Sequence, residues 1–274
     1  MSKHENDSAR IDKSYLNFWY NHKGVAPQFM ADLGLMFKRV LIEMTDYCPL
    51  KCDRCNRACN LVDDCNYLTV EQVKVILDEM KELSFEPVKF SLQGGEPTDS
   101  PFLIDIIKTI HEYFSDVEIH VYTNGLSEKT KRLISLLDLI PYVTIQDSAK
   151  TGSKDNKSHG ITFEQFTISP DSLGMDDELI ARGCKFPYQC GVTISATGLI
   201  YPCPCGGIVD KVFYDSSHGF ESLKDYTLPN IIKLFPDLCK YCGRLHGQSD
   251  LPMPDISLDW FKALKEYNSK RSTL

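Results

Sequence analysis

The sequence predicts an α/β fold: an abridged β/α barrel of the TIM type, followed by a small cysteine-rich extension of hairpin and helix. Three observations predict it. Strand-like and helix-like segments alternate from Lys38 to Gln146, which implies a parallel sheet with right-handed crossovers. Space for further β/α units runs out at Cys184, where a cysteine-rich region begins, so the barrel is partial. Beyond that point, β-formers alternate around Gly198 and a C-x2-C pair follows at Cys239 and Cys242.

The first strand is expected over Lys38-Arg39-Val40-Leu41-Ile42-Glu43-Met44, running into a cysteine loop. Leu68 to Leu83 has apolar residues at helical spacing, with Thr69 as N-cap and Glu71 and Gln72 in the first turn. Val88–Leu92 reads as a strand ending in Gly94-Gly95. Pro101–Phe114 reads as a helix with proline in its first turn, preceded by Ser100. A strand at Val117–Tyr122 ends in Thr123-Asn124-Gly125, a helix runs Ser127–Leu139, and a strand covers Tyr142–Gln146. In barrels of this kind the chemistry lies where strands end and βα loops begin.

The polar stretch Ser148–Gly160 reads as a solvated loop or as a lid, and Ile161–Ser169 as a further strand. Val192–Ser195, Ala196-Thr197-Gly198 and Leu199–Tyr201 read as a hairpin. Four regions follow: a polar lead-in over 1–37, the barrel over 38–180, the extension over 181–250 and a C-terminal helix or tail over 251–274. Within the lead-in, the aromatic run Tyr15–Tyr20 reads as packing or as part of a substrate surface.

Composition excludes several classes. A formal net charge of -8 argues against a general nucleic-acid binder, which presents a basic face. No apolar run reaches the roughly 18 residues of a membrane span, and the N-terminus lacks the apolar core of a signal peptide. A cytoplasmic location is expected, and there the 11 cysteines are too many to hold as disulfides. Metal ligation is the favoured reading.

Cys48, Cys52 and Cys55 are spaced C-x3-C-x2-C directly after a strand. Three thiolates on one short loop hold three irons of a cubane and leave the fourth iron open. Structural zinc wants four ligands, and Cys59 or Cys65 could supply the fourth, so zinc stays open at this point. Gly94-Gly95-Glu96-Pro97 ends the next strand. Its glycines let backbone approach a ligand closely, and its carboxylate can accept hydrogen bonds from an ammonium group. Cys184, Cys203, Cys239 and Cys242 make a four-thiolate set, with Cys190 or Cys205 as an alternate to Cys184. By spacing alone this set suits zinc and iron–sulfur equally. Cys59 and Cys65 read as loop thiols or as the mouth of the site.

The loop C-x3-C-x2-C, the GGEP segment and Thr123-Asn124-Gly125 together resemble the radical S-adenosylmethionine (SAM) superfamily over roughly residues 38–147. The resemblance implies a 4Fe-4S cluster on Cys48, Cys52 and Cys55 whose open iron chelates the amino and carboxylate groups of SAM. It implies that Gly94, Gly95, Glu96 and Pro97 hold the methionine amino group and that Thr123 and Asn124 lie near the nucleoside. The residue before the third cysteine is commonly aromatic in that family and helps shape the adenine site; here it is Arg54, a departure at the adenine contact.

The C-terminal segment is similar to the Twitch extension, the shorter relative of SPASM, which implies one auxiliary 4Fe-4S cluster on Cys184, Cys203, Cys239 and Cys242. The combination resembles 2-deoxy-scyllo-inosamine dehydrogenase and, more distantly, the anaerobic sulfatase-maturating enzymes. That implies an oxidoreductase: a 5′-deoxyadenosyl radical takes hydrogen from a small polar metabolite, with the auxiliary cluster as electron acceptor and a reduced flavodoxin or ferredoxin as donor. Asp147 stands where a base or a ribose contact is expected, or is a solvated loop carboxylate. The alternative is modification of a ribosomal peptide (a thioether, a carbon–carbon link or an epimerisation). With about 37 residues before the first strand, a built-in peptide-recognition domain is not expected, so a peptide would come with a separate protein. A non-catalytic iron–sulfur or zinc scaffold explains the cysteines but leaves GGEP without a purpose.

Overall fold

The computed structural model describes residues 39–50, 57–59, 61–147, 191–241 and 258–272. In chain order these form β1 (Arg39–Glu43), α1 (Val70–Glu82), β2 (Lys89–Gln93), α2 (Leu103–Tyr113), β3 (Glu118–Thr123), α3 (Glu128–Leu137), β4 (Val143–Asp147), β5 (Val192–Ile194), β6 (Ile200–Tyr201), α4 (Pro204–Phe213), α5 (Leu228–Leu238) and α6 (Leu258–Arg271). The expected loop or lid at 148–160 and the strand at 161–169 lie outside the described residues, as does the aromatic run at 15–20.

Local chemistry starts the helices where the sequence suggested. Thr69 caps α1 and Gln72 closes the box by accepting from the Thr69 N–H. Ser127 accepts from the Thr130 N–H to cap α3. Only α2 begins later than expected: Ser100 Oγ accepts from the Phe102 N–H, and the helix opens at Leu103.

The strands form one six-stranded sheet in the order β4-β3-β2-β1-β5-β6. Pairing is parallel from β4 through β1 to β5, and only β6 runs antiparallel. The described strands leave this sheet open, as a partial barrel. Sequence reasoning placed the hairpin in a separate extension. Its first strand instead continues the barrel sheet along the second edge of β1, with Val40 opposite Val192. Gly198 supplies the turn at φ +89.

Alternation divides the sheet into two faces. Val40, Ile42, Phe90, Leu92, Ile119, Val121, Val192 and Ile194 are buried in one cluster with Val73, Ile76 and Leu77 of α1 and Ile106 and Ile110 of α2. Each such side chain contributes roughly 1.5–3 kcal/mol by leaving water. The opposite face carries Leu41, Glu43, Ser91, Gln93, His120, Tyr122, Thr144 and Gln146, a mainly polar set.

A second core gathers Tyr201, Val209 and Val212 with Leu238, Trp260 and Leu264. Ala58 and Val62, from the segment after the first cysteine loop, belong to it. Helix α6 ties this core together: Trp260 Nε1 donates to the Tyr241 carbonyl at 3.2 Å and Asn268 Nδ2 to the Leu61 carbonyl at 2.6 Å. Arg271 also pairs with Asp64.

Candidate active site at the strand ends

Cys48 follows β1 by a short turn in which the Tyr47 N–H donates to Thr45 Oγ1 at 3.0 Å. The segment after β2 packs on this turn backbone to backbone. Gly95 N donates to the Thr45 carbonyl at 2.7 Å and Glu96 N to the Tyr47 carbonyl at 2.8 Å. A Cβ at Gly94 would lie 2.6 Å from the Thr45 carbonyl oxygen, and one at Gly95 1.9 Å from that of Tyr47. Close approach to a ligand was the reason expected for these glycines. The structure adds a nearer one: they let the end of β2 press against the entry to the cysteine loop.

Glu96 is 1% exposed. Its Oε1 accepts from the Thr98 N–H at 3.1 Å, the Thr98 hydroxyl at 2.6 Å and the Thr123 hydroxyl at 2.6 Å. Its Oε2 accepts from the Asn124 N–H at 2.8 Å. The carboxylate therefore clamps the ends of β2 and β3, and its remaining acceptor capacity is on Oε2. Pro97 opens the short 3-10 turn Pro97–Asp99 that Glu96 caps. The Asn124 side-chain oxygen accepts from the Leu126 N–H at 3.0 Å, which fixes the amide's orientation. Its buried Nδ2 has no hydrogen-bond partner among the described residues. Asp147 ends β4 with Thr123 as its register partner.

A cleft opens beside the ends of β1 and β2. Its walls include Thr45, Gly94 and Gly95, the hairpin turn at Ser195–Thr197, and Gly207 and Lys211 of α4. Glu43 sits in the wall with Arg57 Nη1 3.0 Å from its Oε1. Burial outweighs the Arg57 attraction, and with Asp46 nearby it pushes the Glu43 carboxyl up to about 7. Lys211 Nζ lies 2.8 Å from both Asp46 Oδ2 and Asp64 Oδ2. Burial alone would lower its pKa, but the two carboxylates hold it above its ordinary value.

These ion-paired groups were missed by sequence reasoning. Glu43 did leave a signal, as a charge at the end of an otherwise apolar strand. Lys211, Asp46 and Asp64 left none, because their meeting is long-range.

Cys59 is buried in the cleft wall, whereas Cys65 is exposed. Cys203 caps α4, its Sγ accepting from the Gly206 N–H at 3.3 Å, and Cys205 is buried in the second core. Cys239 caps the C-terminus of α5. Cys52, Arg54, Cys55, Cys184, Cys190 and Cys242 lie outside the described residues. Among the described residues, no three His, Cys, Asp or Glu side chains are grouped to hold a metal. Nor is any described helix long and apolar enough to cross a membrane.

Cys48, the glycine turn and the clamped carboxylate all lie at the C-terminal ends of parallel strands, the position at which β/α barrels carry their chemistry. Residues 42–167 match the Radical SAM superfamily. This part of the chain is a radical SAM domain.

The chain is 34% identical over 101 residues to a PqqA peptide cyclase of Bradyrhizobium diazoefficiens, covering 36% of this chain and 25% of that protein. It thus spans about a quarter of the length of the curated relatives it matches. Among solved structures it is similar to BtrN in complex with AdoMet and 2-DOIA, at 16% identity and TM-score 0.46, over 81% of this chain and 94% of that one. It is also similar to Streptococcus suis SuiB bound to S-adenosylmethionine, at 23% identity and TM-score 0.31, over 44% of this chain and 28% of that one.

Proposed function

We propose that the chain is a radical SAM enzyme that removes hydrogen from a small polar metabolite, leading to its oxidation. The observation that carries the reading is the hydrogen-bonded convergence of three strand ends, in which Gly95 and Glu96 bond the turn before Cys48 while Glu96 also bonds Thr123 and Asn124. Cys48, Cys52 and Cys55 would hold a 4Fe-4S cluster here, with SAM on its open iron. The donor set suits this, being three thiolates on one short loop after β1.

When bound, the cluster and SAM supply a 5′-deoxyadenosyl radical that takes hydrogen from an unactivated carbon. The chain supplies position and exclusion of water. Residual acceptor capacity on Glu96 Oε2, with the backbone of Gly94 and Gly95, is suited to the methionine ammonium. The unpartnered Asn124 Nδ2 is suited to an acceptor on the nucleoside. Arg54 would stand at the adenine edge, and Asp147 would serve as base or ribose contact. Cys203, Cys239, Cys242 and Cys184, with Cys190 or Cys205 as its alternate, would bind an auxiliary 4Fe-4S cluster that receives the second electron. A reduced flavodoxin or ferredoxin would supply the first.

A second reading, modification of a peptide held by a separate protein, is favoured by the similarity to PqqA peptide cyclases over 101 residues. Anaerobic reconstitution tests the proposal. About eight irons and eight sulfides per chain are expected for two such clusters, with a cluster spectrum that changes on adding SAM. Four-coordinate metal that ignores SAM would refute it. Deuterium passing from a labelled metabolite, and not from a labelled peptide, into 5′-deoxyadenosine decides between the two substrates.

A further inference from the structure

The segment that carries the first three cysteines is closed at its neck. Met44, Thr45 and Asp46 leave β1 and meet Asn66, Tyr67 and Leu68 on the return. The Asp46 N–H donates to the Asn66 carbonyl and the Leu68 N–H to the Met44 carbonyl, each at 3.1 Å. Thr45 and Tyr67 form an antiparallel bridge between these bonds, and Asn66 Nδ2 donates to Asp46 Oδ2 at 2.8 Å. A displacement of the neck therefore displaces the loop.

Lys211 reaches this neck from α4. Its Nζ lies 2.8 Å from Asp46 Oδ2 on the outgoing side and 2.8 Å from Asp64 Oδ2 on the returning side. The three side chains are largely buried, at 13%, 16% and 9% exposure. Screening by water is weak at such depth, so the bridge holds its geometry. Asp210, next to Lys211, is fully buried and accepts from the Tyr201 hydroxyl at 2.9 Å and the Gly219 N–H at 3.0 Å. That pins the C-terminal half of α4. Val209 and Val212 of the same helix share a core with Ala58 and Val62, from the returning side of the loop.

The other end of α4 is Cys203, whose Sγ accepts from the Gly206 N–H at 3.3 Å. Lys211 follows it by about two turns, a rise of about 12 Å along one rigid helix. The same helix thus starts at a thiolate of the proposed auxiliary site and grips the neck of the first cysteine loop. A helix start frays when nothing holds it, and the grip then loses its fixed anchor. We propose that Lys211 is a positioning residue for the first cluster and that α4 couples the two cluster sites, so that filling the auxiliary site strengthens the hold on the first. By linkage, the first cluster strengthens the hold on the second to the same degree. The proposal deepens the radical SAM reading and rests on it for the ligands of both clusters.

Iron release to a ferrous chelator from the anaerobically reconstituted full chain tests it. Cys239→Ala empties the auxiliary site while leaving the Cys203 cap of α4 in place. The cluster that remains should release iron about fivefold faster or more than the unaltered protein, as for ordinary coupling between sites. Lys211→Met should release iron at a comparably raised rate, and adding Cys239→Ala to it should speed release no further, because the connection is already cut. Lys211→Arg keeps the charge and should release iron as slowly as the unaltered protein, a rescue that mere filling of space would not give. Should Lys211→Met not fold, Lys211→Met/Asp46→Asn carries the test, since it leaves Asp46 uncharged. Effects that multiply in the Lys211→Met/Cys239→Ala variant, or slow release from Cys239→Ala, overturn the proposal. So does iron near four rather than about eight per chain in the unaltered protein. Adding SAM to the same samples separates the two readings. A cluster spectrum that responds to SAM with uncoupled release sinks the coupling alone, whereas coupled release without a SAM response leaves the coupling standing and sinks the radical reading.

Discussion

The Thr123 hydroxyl donates a 2.6 Å hydrogen bond to Glu96 Oε1, joining the last residue of β3 to the turn after β2. Both residues are buried, at 0% and 1% exposure. Hydrogen bonds to an ionised acceptor are shorter and about twice as strong as neutral ones, and this one is shared with the Thr98 hydroxyl on the same oxygen. Two motifs that lie 27 residues apart are thereby one mechanical unit.

Replacing Thr123 with valine keeps the shape and removes the donor. The expected loss is about 1–3 kcal/mol of stability, the usual cost of leaving a buried group unsatisfied. Urea denaturation of Thr123→Val, Glu96→Gln and the double variant checks it. Their effects should be non-additive by more than about 0.5 kcal/mol, as for residues in one network. Simple additivity would mean that the two side chains do not act together.

Gly95→Ala should separate the end of β2 from the cysteine loop, because its new Cβ would lie 1.9 Å from the Tyr47 carbonyl oxygen. Backbone on both sides leaves no flexible side chain to give way. The iron bound per chain after reconstitution should fall well below that of the unaltered protein, while the far-UV circular dichroism stays close to it. Full iron loading in this variant would show that the strand-end packing does not hold the loop.

Much of this site was legible in the sequence because its parts are local. Thr69 and Gln72 cap α1 within a single turn, and Gly94-Gly95-Glu96 follows a strand whose alternation is plain. What stayed hidden depends on contacts between distant segments. The engagement of Glu96 by Thr123 requires the register of β2 against β3. The pairing of β5 with β1 reflects an edge that only the folded sheet exposes, since alternating β-formers specify a strand but not its neighbour. The extension was expected to contain a helix, but the bounds of α4 were not foreseen, its start obscured by Pro204, Gly206 and Gly207, residues that commonly punctuate turns.

Lys211 bridges Asp46, two residues before Cys48, and Asp64, beyond the same loop, at 2.8 Å each. Lys211→Met should cost about 3–5 kcal/mol, the loss expected when one partner of a buried ion pair is removed and its counter-charge is stranded. Guanidinium denaturation of Lys211→Met against Lys211→Met/Asp46→Asn gives the check, since Asp64 keeps Arg271 as a partner and neutralising the stranded Asp46 should restore part of the loss. If the double variant is less stable than the single one, the bridge is not what holds α4 to the loop.

Glu43 should make stability depend on pH in an unusual direction for a carboxyl. Its ordinary value is 4.5 and the fold raises it to about 7, so between those values the folded state holds a proton that the unfolded state has lost. Its contribution is fully present below pH 4.5 and declines as pH rises through 7. The shift corresponds to a loss of up to about 3 kcal/mol. Glu43→Gln mimics the protonated carboxyl and keeps an oxygen to accept from Arg57, whose Nη1 lies 3.0 Å away. Urea midpoints at acidic and alkaline pH should therefore diverge less in Glu43→Gln than in the unaltered protein, the variant gaining relative stability as pH rises. Identical pH profiles for the two proteins would mean that Glu43 stays ionised in the fold, with Arg57 rather than burial governing its charge.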